Sequence, residues 1–440
     1  MPLCVIGCVH CPRQNKYLCL ESGHLIKKQT ILLAALALAV KTAIVLLFVH
    51  DIRSWEIQET VMNLLREGEM KYFYNNRYHY SYQLPVYPFC IFLIYHVFGI
   101  HLKAILFFNL ILSSATVILL PSVMKGFLDR MFLPARAAKH IPGIAAVSVL
   151  LFIAHPMISY YAIANIHPFS MDIFLAVLVL FLTFRYAGNP SLKNLFLFSL
   201  ALGFAVIERP TLICSAIPFG VLEIKRVPVI SFFRNMLLAG VFSILFSISW
   251  MVRNYSVERS FSFSSSFWLN MWIGTLEESE GTATLLSGES YYSALTDDEL
   301  KVLYAREPGD QSDFFREKYR NTVVKTPGKI IRMFFVKFRN FWLFRSRIAA
   351  GYSPWFQHFV PAYKLLYLTC FLLAAAAVFY LRGKSLLLLS FPIGLSILQS
   401  LVYVETRHRI LIEPFLILLA CVGVVLLCLP AMRTQQPSGS

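Results

Sequence analysis

Charged residues are scarce in this sequence of 440 residues. They make up 15% of the chain, whereas hydrophobic residues make up 57%. Soluble globular domains average roughly 25% charged and about 45–50% apolar residues, so the composition excludes an ordinary soluble protein. The apolar residues are concentrated in runs of about 20 residues, the length that crosses a hydrocarbon core of roughly 30 Å as a helix. The composition therefore predicts a helical membrane protein.

The polar segments lack paired cysteines, which argues against a disulfide framework. Of the nine cysteines, five lie inside or beside apolar runs. The other four, Cys4, Cys8, Cys11 and Cys19, stand near the N-terminus with His10. They could bind zinc, but their spacing is not that of a standard zinc site, and a reduced cytoplasmic tail is the alternative.

The sequence also lacks an internal repeat, a heptad pattern, a P-loop and a GxGxxG motif. Secondary transporters often show two related halves with interrupted helices, and no such halves are visible here. The first apolar run has no A-x-A cleavage site, so it predicts a membrane anchor instead of a signal peptide. In a soluble protein, the net charge of +16 would suggest a nucleic-acid partner. Here the orientation of the helices in the membrane accounts for most of the excess of basic residues, and no nucleic-acid partner is expected.

Ten apolar runs are long enough to be counted as spans, and an eleventh, at 85–99, is shorter. The ten runs are 31–49, 102–121, 141–158, 168–187, 192–207, 210–225, 232–250, 361–381, 386–403 and 410–429. If 85–99 only dips into the outer leaflet, the basic loop 122–140 and both termini are cytoplasmic, as the positive-inside rule favours. The prediction is an all-α polytopic membrane protein with about 10 to 11 transmembrane helices.

The same orientation divides the chain into five segments. They are a cytoplasmic tail (1–30), a transmembrane catalytic module (31–250) with a first outer loop at 51–84, a large outer domain (251–360), C-terminal transmembrane helices (361–429) and a second cytoplasmic tail (430–440). In the first outer loop, apolar residues at helical spacing predict a juxtamembrane helix between Ser54 and Gly68. The outer domain is predicted to be small and mainly helical.

The large outer segment is polarised in charge. Residues 277–313 are mostly acidic, and residues 314–347, which include Lys337, are mostly basic and interleaved with Phe and Trp. That composition is typical of a helix seated among lipid phosphates, and Lys337 is a candidate for binding the substrate. A solvated or interfacial face without a catalytic role is the alternative.

Asp51 is the first candidate for chemistry, because it stands at the outer end of the first span. A carboxylate at that boundary is partly desolvated, which makes it a better proton acceptor. Asp172 is the second, because it lies about one turn into a later span, where an acid is costly unless it is paired or faces a cavity. His167 is its plausible neighbour. An ordinary helix-end residue is the alternative reading of Asp51.

Several arginines stand at span ends on the same predicted face. They are Arg209, which follows Glu208, then Arg253, and then Arg407 and Arg409 in the short loop before the last span. Arginine clamps phosphate with two parallel hydrogen bonds. Glycosyl transfer from a lipid phosphate needs a base for the acceptor hydroxyl and cations for the departing phosphate, and these residue types are sufficient for both tasks.

Stretches along most of the chain carry a resemblance to a known family. In chain order they are DIRSWEIQETVMNLLREG, LPVYPFCIFLIYHVFG, ERPTLI, SWMVRNY with LNMWIG, KTPGKIIRMFFVKFRNFW and ETRHRILIEPF. The sequence resembles the GT-C class of integral membrane glycosyltransferases, in particular the branch of protein O-mannosyltransferases and the lipid A aminoarabinose transferase. It departs from that branch at Ile52, where a second acid often stands, and at Trp55, where Tyr is usual.

The resemblance implies a GT-C-like fold in which Asp51 is the catalytic base and the large outer loop covers the active site. It also implies a polyprenyl-phosphate sugar as donor, and it leaves a divalent metal uncommitted. The expected acceptor is a lipid, glycan or protein of the cell envelope, reached from the outer face of a bacterial inner membrane. A non-enzymatic transporter or flippase of lipid-linked sugar, and a glycan polymerase or ligase, are the alternatives.

Overall fold

The computed structural model describes residues 15–49, 52–54, 56–131, 133, 135–345 and 360–428. Asp51, Trp55, the cysteines at positions 4, 8 and 11, and the C-terminal tail lie outside the described residues.

The chain is helical along most of its described length. The helices are α1 (Asn15–Phe48), α2 (Glu56–Glu67), α3 (Val86–Phe98), α4 (Leu102–Leu128), α5 (Ala135–Ala138), α6 (Ile141–Ala154), α7 (Ala162–Ala164), α8 (Phe169–Gly188), α9 (Leu192–Glu208), α10 (Ile217–Arg226), α11 (Val229–Glu258), α12 (Phe267–Ile273), α13 (Asp297–Ala305), α14 (Pro308–Lys325), α15 (Pro327–Trp342), α16 (Val360–Leu381), α17 (Leu386–Leu401) and α18 (Glu413–Cys428). The predicted all-α polytopic class is confirmed.

By length and composition, five stretches of the described chain can cross a membrane. They are Thr30–Phe48, Leu102–Leu128, Phe169–Gly188, Val229–Glu258 and Val360–Leu401. The last contains α16 and α17, which are joined by a 3-10 turn. The protein is therefore an integral membrane protein with several spans.

Three runs that the sequence analysis counted as spans form shorter helices. Helix α9 has 17 residues, α10 has 10 and α18 has 16. Helix α3, at the position expected for a partial helix, has 13 residues. By the length criterion the described chain thus has fewer spans than the ten to eleven predicted from hydropathy.

The run at 141–158 is bent, which its apolar composition did not indicate. Helix α6 ends at Ala154, and a π-helix then covers Met157–Tyr161. The two parts meet at 58°, and counting them as one broken span gives a sixth crossing. Pro156 explains the bend, because proline disfavours the helical conformation of the preceding residue; His155 has an extended backbone with ψ of 121°.

A second hydrophobic core lies in the segment between α11 and α15, separate from the core of the membrane helices. It is built from residues of α12 to α14, including Trp272, Leu303 and Phe315. Helix α13 begins with a capping box, in which Thr296 and Glu299 each bond the other's backbone amide. This segment is mainly helical, as the sequence predicted.

Four short strands form two pairs in the described chain, and three of these strands lie between α1 and α3. Strands β2 (Tyr72–Tyr74) and β3 (Arg77–His79) form an antiparallel hairpin. Its turn residues, Asn75 and Asn76, both have positive φ, as a two-residue type I′ turn requires.

The other two strands, β1 (Arg53–Ser54) and β4 (Asn165–Ile166), pair in parallel. Residue 53 pairs with 165, and residue 54 with 166. The chain that enters α2 is therefore held beside the residues that lead into α8.

Candidate functional site

A small polar cleft lies where α8 begins and α9 ends. Its lining combines charged and apolar side chains: Phe169, Asp172, Arg209, Arg407, His408, Ile410 and Leu411. Three of the predicted site residues, Asp172, Arg209 and Arg407, are among them. The structure therefore brings together residues that are up to 235 positions apart in the sequence (Asp172 to Arg407).

Asp172 and Arg209 form a buried ion pair at the base of the cleft. The Arg209 Nε donates to the Asp172 Oδ2 at 2.8 Å, and the Asp172 side chain is 2% exposed. The carboxylate lies in the first turn of α8, where the helix dipole favours a negative charge. Its second oxygen, Oδ1, is buried and has no hydrogen-bond partner among the described residues. An acceptor without a partner in a cleft can receive a hydrogen bond from a ligand.

Arg407 and His408 enter the cleft from a 3-10 helix, Thr406–Leu411, that follows α17. The Glu405 backbone amide donates to the His408 Nδ1 at 3.2 Å. Burial, with the charges of Arg209 and Arg407, lowers the pKa of His408 well below its ordinary value. The ring is therefore neutral at pH 7, and because Nδ1 accepts, its proton is carried by Nε2.

His167 lies beside the cleft, although it is not part of the lining. Its ring stacks on Phe169, with 3.8 Å between the centroids and 19° between the planes. Burial lowers the pKa of His167 well below its ordinary value, and Arg407 and Arg209 lower it further. Both histidines are thus neutral at pH 7. The cleft carries two arginines against one aspartate, which leaves a positive balance suited to an anion.

Glu208, which precedes the cleft residue Arg209 in the sequence, stabilises the fold through a hydrogen bond. Its Oε2 accepts from the backbone amide of Tyr87 at 2.9 Å, in the first turn of α3. The Tyr87 hydroxyl donates to Asn109 at 3.0 Å, and Asn109 in turn donates to the carbonyl of Asn165 at 3.1 Å. These bonds tie α3 and α4 to β4, the strand that precedes α8.

Arg253 lies outside the cleft lining. Its guanidinium donates to the carbonyl of Tyr80 and, at 3.4 Å, to that of Met70. It also stands 4.9 Å from the ring centroid of Trp250. Arg253 therefore holds the segment between α2 and α3 against the end of α11.

Lys337 is buried at a joint between the outer segment and the chain after α17. Its Nζ donates to the carbonyl of Val402 at 2.8 Å. Gly274 and Gly281 make room for it, because an added Cβ would lie 2.9 Å from the Nζ and 2.7 Å from the Cδ respectively. Burial lowers the pKa of Lys337 to about 7. The structure does not bring Lys337 to the cleft lining.

Arg409 is also directed away from the cleft. Its Nε donates to the Tyr363 hydroxyl at 3.0 Å and lies 3.5 Å from the Glu413 carboxylate. The guanidinium packs between aromatic rings, 4.1 Å from the centroid of Phe344 and 4.0 Å from that of Tyr367.

The sequence analysis did not single out the buried polar residues His155, Glu413 and Lys41. His155 lies 3.4 Å from Glu413, and the Lys41 ammonium donates to Ser113 and stands 5.0 Å from the centroid of Phe152. Lys41 is inside the first apolar run. An ionisable residue at that depth in a span by itself indicates a site with a buried partner or a function.

Asp51, the predicted catalytic base, lies outside the described residues. Strand β1 begins two residues after it and pairs with β4, directly before His167. Within the described ranges no group of three or more His, Cys, Asp or Glu side chains could hold a metal ion.

Crystal structures of ArnT from Cupriavidus metallidurans are similar to this chain. The apo structure is 15% identical with a TM-score of 0.38, and the structure bound to undecaprenyl phosphate is 13% identical with a TM-score of 0.36. Each similarity covers 90% of this chain and 77% of the ArnT chain. No family model and no curated protein matches the sequence.

Proposed function

We propose that this protein is an inverting glycosyltransferase that takes a sugar from a polyprenyl phosphate and transfers it to a hydroxyl group of a cell-envelope lipid, glycan or protein. The observation that carries the proposal is the cleft in which Arg209, Arg407 and the neutral His408 surround Asp172. Its donors suit a phosphate, and its carboxylate suits the hydroxyls of a sugar. The family resemblance of the sequence agrees with this chemistry.

The reaction needs side chains in three roles. The Asp51 carboxylate accepts the proton of the acceptor hydroxyl, whose oxygen bonds to the anomeric carbon as the bond from that carbon to the phosphate oxygen breaks. The lipid phosphate leaves with the electron pair and is stabilised by Arg209 and Arg407. Because a phosphate is a good leaving group, no general acid is required. Asp172 orients the sugar through its Oδ1.

The proposed setting is the outer face of a bacterial inner membrane, with both termini in the cytoplasm. The basic residues of the short loops support this orientation, because they gather on one side when α3 does not cross fully. Residues 251–360 then form an outer domain above the cleft, and residues 31–250 form the transmembrane catalytic module.

Asp51→Asn tests the role of the base. Transfer from a lipid-linked sugar in membranes should fall by at least about 100-fold, because general base catalysis contributes roughly 10²–10⁴-fold. Asp129→Asn is the matched control, since that exposed aspartate pairs with Lys125 at 2.6 Å, and it should keep full activity.

Unchanged transfer by Asp51→Asn would remove the base assignment. A wild-type protein that forms no glycoside but moves the lipid between leaflets would instead be a transporter.

A further inference from the structure

Asn109 is a buried asparagine in α4, and the proposed reaction gives it no role. A polar side chain inside an apolar helix is costly unless its hydrogen-bonding atoms have partners. Here the Oδ1 accepts from the Tyr87 hydroxyl at 3.0 Å, and the Nδ2 donates to the carbonyl of Ile163 at 3.3 Å and to that of Asn165 at 3.1 Å. The side chain, which is 0% exposed, therefore joins α3 to α7 and β4.

One route of contacts leads from Asn109 to Asp172. Helix α7, whose Ile163 carbonyl accepts from Asn109, also accepts at its Ala162 carbonyl from the Ser170 hydroxyl, at 2.9 Å. Ser170 lies in α8, two residues before Asp172. A shift of α7 therefore moves the start of α8, and with it the Asp172 carboxylate.

A second route leads from Asn109 to Arg209. The backbone amide of Tyr87, whose hydroxyl bonds Asn109, donates to the buried carboxylate of Glu208 at 2.9 Å. Glu208 is the last residue of α9, and Arg209 follows it directly. The Arg209 Nε in turn donates to the Asp172 Oδ2 at 2.8 Å. The contacts that start at Asn109 therefore reach both members of the ion pair, along two separate stretches of chain.

The two routes together fix the orientation of the Arg209 guanidinium. Its Nε is held by Asp172 on α8, while its backbone is held at the end of α9. A planar guanidinium binds phosphate through parallel N–H bonds, so a tilt of the plane weakens both bonds at once. Binding groups keep such geometry only when neighbouring residues lock them in place. Asn109 is a point at which the supports of Arg209 and of Asp172 meet.

We propose that Asn109 is a positioning residue for the cleft, which holds Arg209 and Asp172 in the orientation that binds the lipid phosphate. This inference rests on the proposed function, because it assumes that the cleft receives a polyprenyl phosphate. It assigns a role in binding to α4, a helix to which none of the described lining residues belongs.

A second buried asparagine provides a matched control. Asn235, in α11, donates through its Nδ2 to the Tyr186 hydroxyl at 3.2 Å and to the Glu223 carboxylate at 2.8 Å. Its partners are thus of the same residue types as those that support the cleft. Tyr186 lies 14 residues after Asp172 in α8, which is about 21 Å along a helix. Asn235 therefore belongs to a similar network that is remote from the cleft.

The test measures the melting temperature of purified full-length protein and its affinity for undecaprenyl phosphate. Asn109→Leu and Asn235→Leu should both lower the melting temperature, because each leaves buried polar groups without partners. Asn109→Leu should also weaken binding of undecaprenyl phosphate by at least about fivefold, since the bonds from Arg209 to a charged group are misaligned. Asn235→Leu should keep an affinity within about twofold of wild type.

Tyr87→Phe is a milder variant, which decides the question if Asn109→Leu does not fold. It removes one hydroxyl, keeps the ring and leaves the bonds from Asn109 to Ile163 and Asn165 in place. Its affinity for undecaprenyl phosphate should fall by about threefold, the range of one neutral hydrogen bond. In an Arg209→Gln background, either substitution should cost less than about twofold more, because both act through Arg209.

Three results would overturn the positioning role and leave the proposed function standing. They are an affinity within about twofold of wild type for both Asn109→Leu and Tyr87→Phe, an equal loss of affinity in Asn235→Leu, and an undiminished further loss in the Arg209→Gln background. A wild-type protein that binds no undecaprenyl phosphate would overturn the proposed function and this inference together.

Discussion

Arg407 and Arg409 are two residues apart in one 3-10 helix, yet they lie in different surroundings. Arg407 is half-buried and lines the polar cleft with His408. Arg409 is fully buried, and its guanidinium is enclosed by aromatic rings and paired with Glu413. A helix with three residues per turn directs residues at i and i+2 to different sides. Residues of the same type in the same loop can therefore serve a ligand in one case and the fold in the other.

The acids that accompany the two arginines differ in the same way. Asp172 and Glu413 each keep one buried carboxylate oxygen without a hydrogen bond, but only the Asp172 side chain lines the polar cleft. Glu413 belongs to a closed group in which its carboxylate meets Arg409, the Tyr363 hydroxyl and His155. A buried ion pair of this kind favours one conformation of the fold more than it adds net stability. Removal of one partner, however, leaves an uncompensated buried charge.

Removal of the Arg409 charge should give the largest effect. Arg409→Met leaves Glu413 buried without its cation, which costs about 3–5 kcal/mol of folding free energy. We expect a large fall in the melting temperature of the purified protein and poor recovery from membranes. The double variant Arg409→Met/Glu413→Leu removes both charges and should regain most of the loss. If Arg409→Met melts like wild type, the contrast between the two arginines does not hold.

Removal of the Arg407 charge should give a smaller effect of a different kind. Arg407→Gln should weaken binding of undecaprenyl phosphate by about 10- to 100-fold, since a hydrogen bond to a charged group contributes roughly 1.5–3 kcal/mol. The melting temperature should stay near that of wild type, because this side chain faces the cleft. Arg382→Gln, in an exposed turn, is the control for a general loss of positive charge. A variant that loses stability but keeps its affinity would place Arg407 with Arg409.

The sequence predicted one half of this contrast. Asp172, Arg209 and Arg407 were predicted because charges at the ends of apolar runs on one face must meet water, a partner or a ligand. Arg409 could not be separated from Arg407, because its aromatic partners come from α16 and from the chain between α15 and α16. Such long-range packing leaves no local pattern.

The sequence also predicted only part of the helical structure. Hydropathy located the apolar runs, but it could not show that the helices α9, α10 and α18 are shorter than a full span. The bend after α6 had a local signal in the His155–Pro156 dipeptide. The burial of Lys337 had none, because the amphipathic pattern of α15 predicts a surface position for most of its bases.

Lys337 sharpens the comparison through the pH dependence of stability. Burial lowers its pKa from 10.5 to about 7, so between these values the folded chain binds fewer protons than the unfolded chain. Stability should therefore rise with pH across this window, by at most about 1.4 kcal/mol per pH unit, and it should not change through this group below about pH 7. Arg409 contributes no such slope, because its guanidinium stays protonated.

Melting temperatures of wild type, Lys337→Met and Lys329→Met between pH 6 and 10 measure that contribution. Lys337→Met should lose the part of the slope above pH 7, because methionine fills a similar volume and carries no proton. Lys329→Met, on the same helix but more accessible, should keep the wild-type slope. If Lys337→Met follows the wild-type curve, the ammonium is hydrated in the native protein. Lys337 would then have to be grouped with Arg407, as a cation that a ligand can reach, and not with the enclosed Arg409.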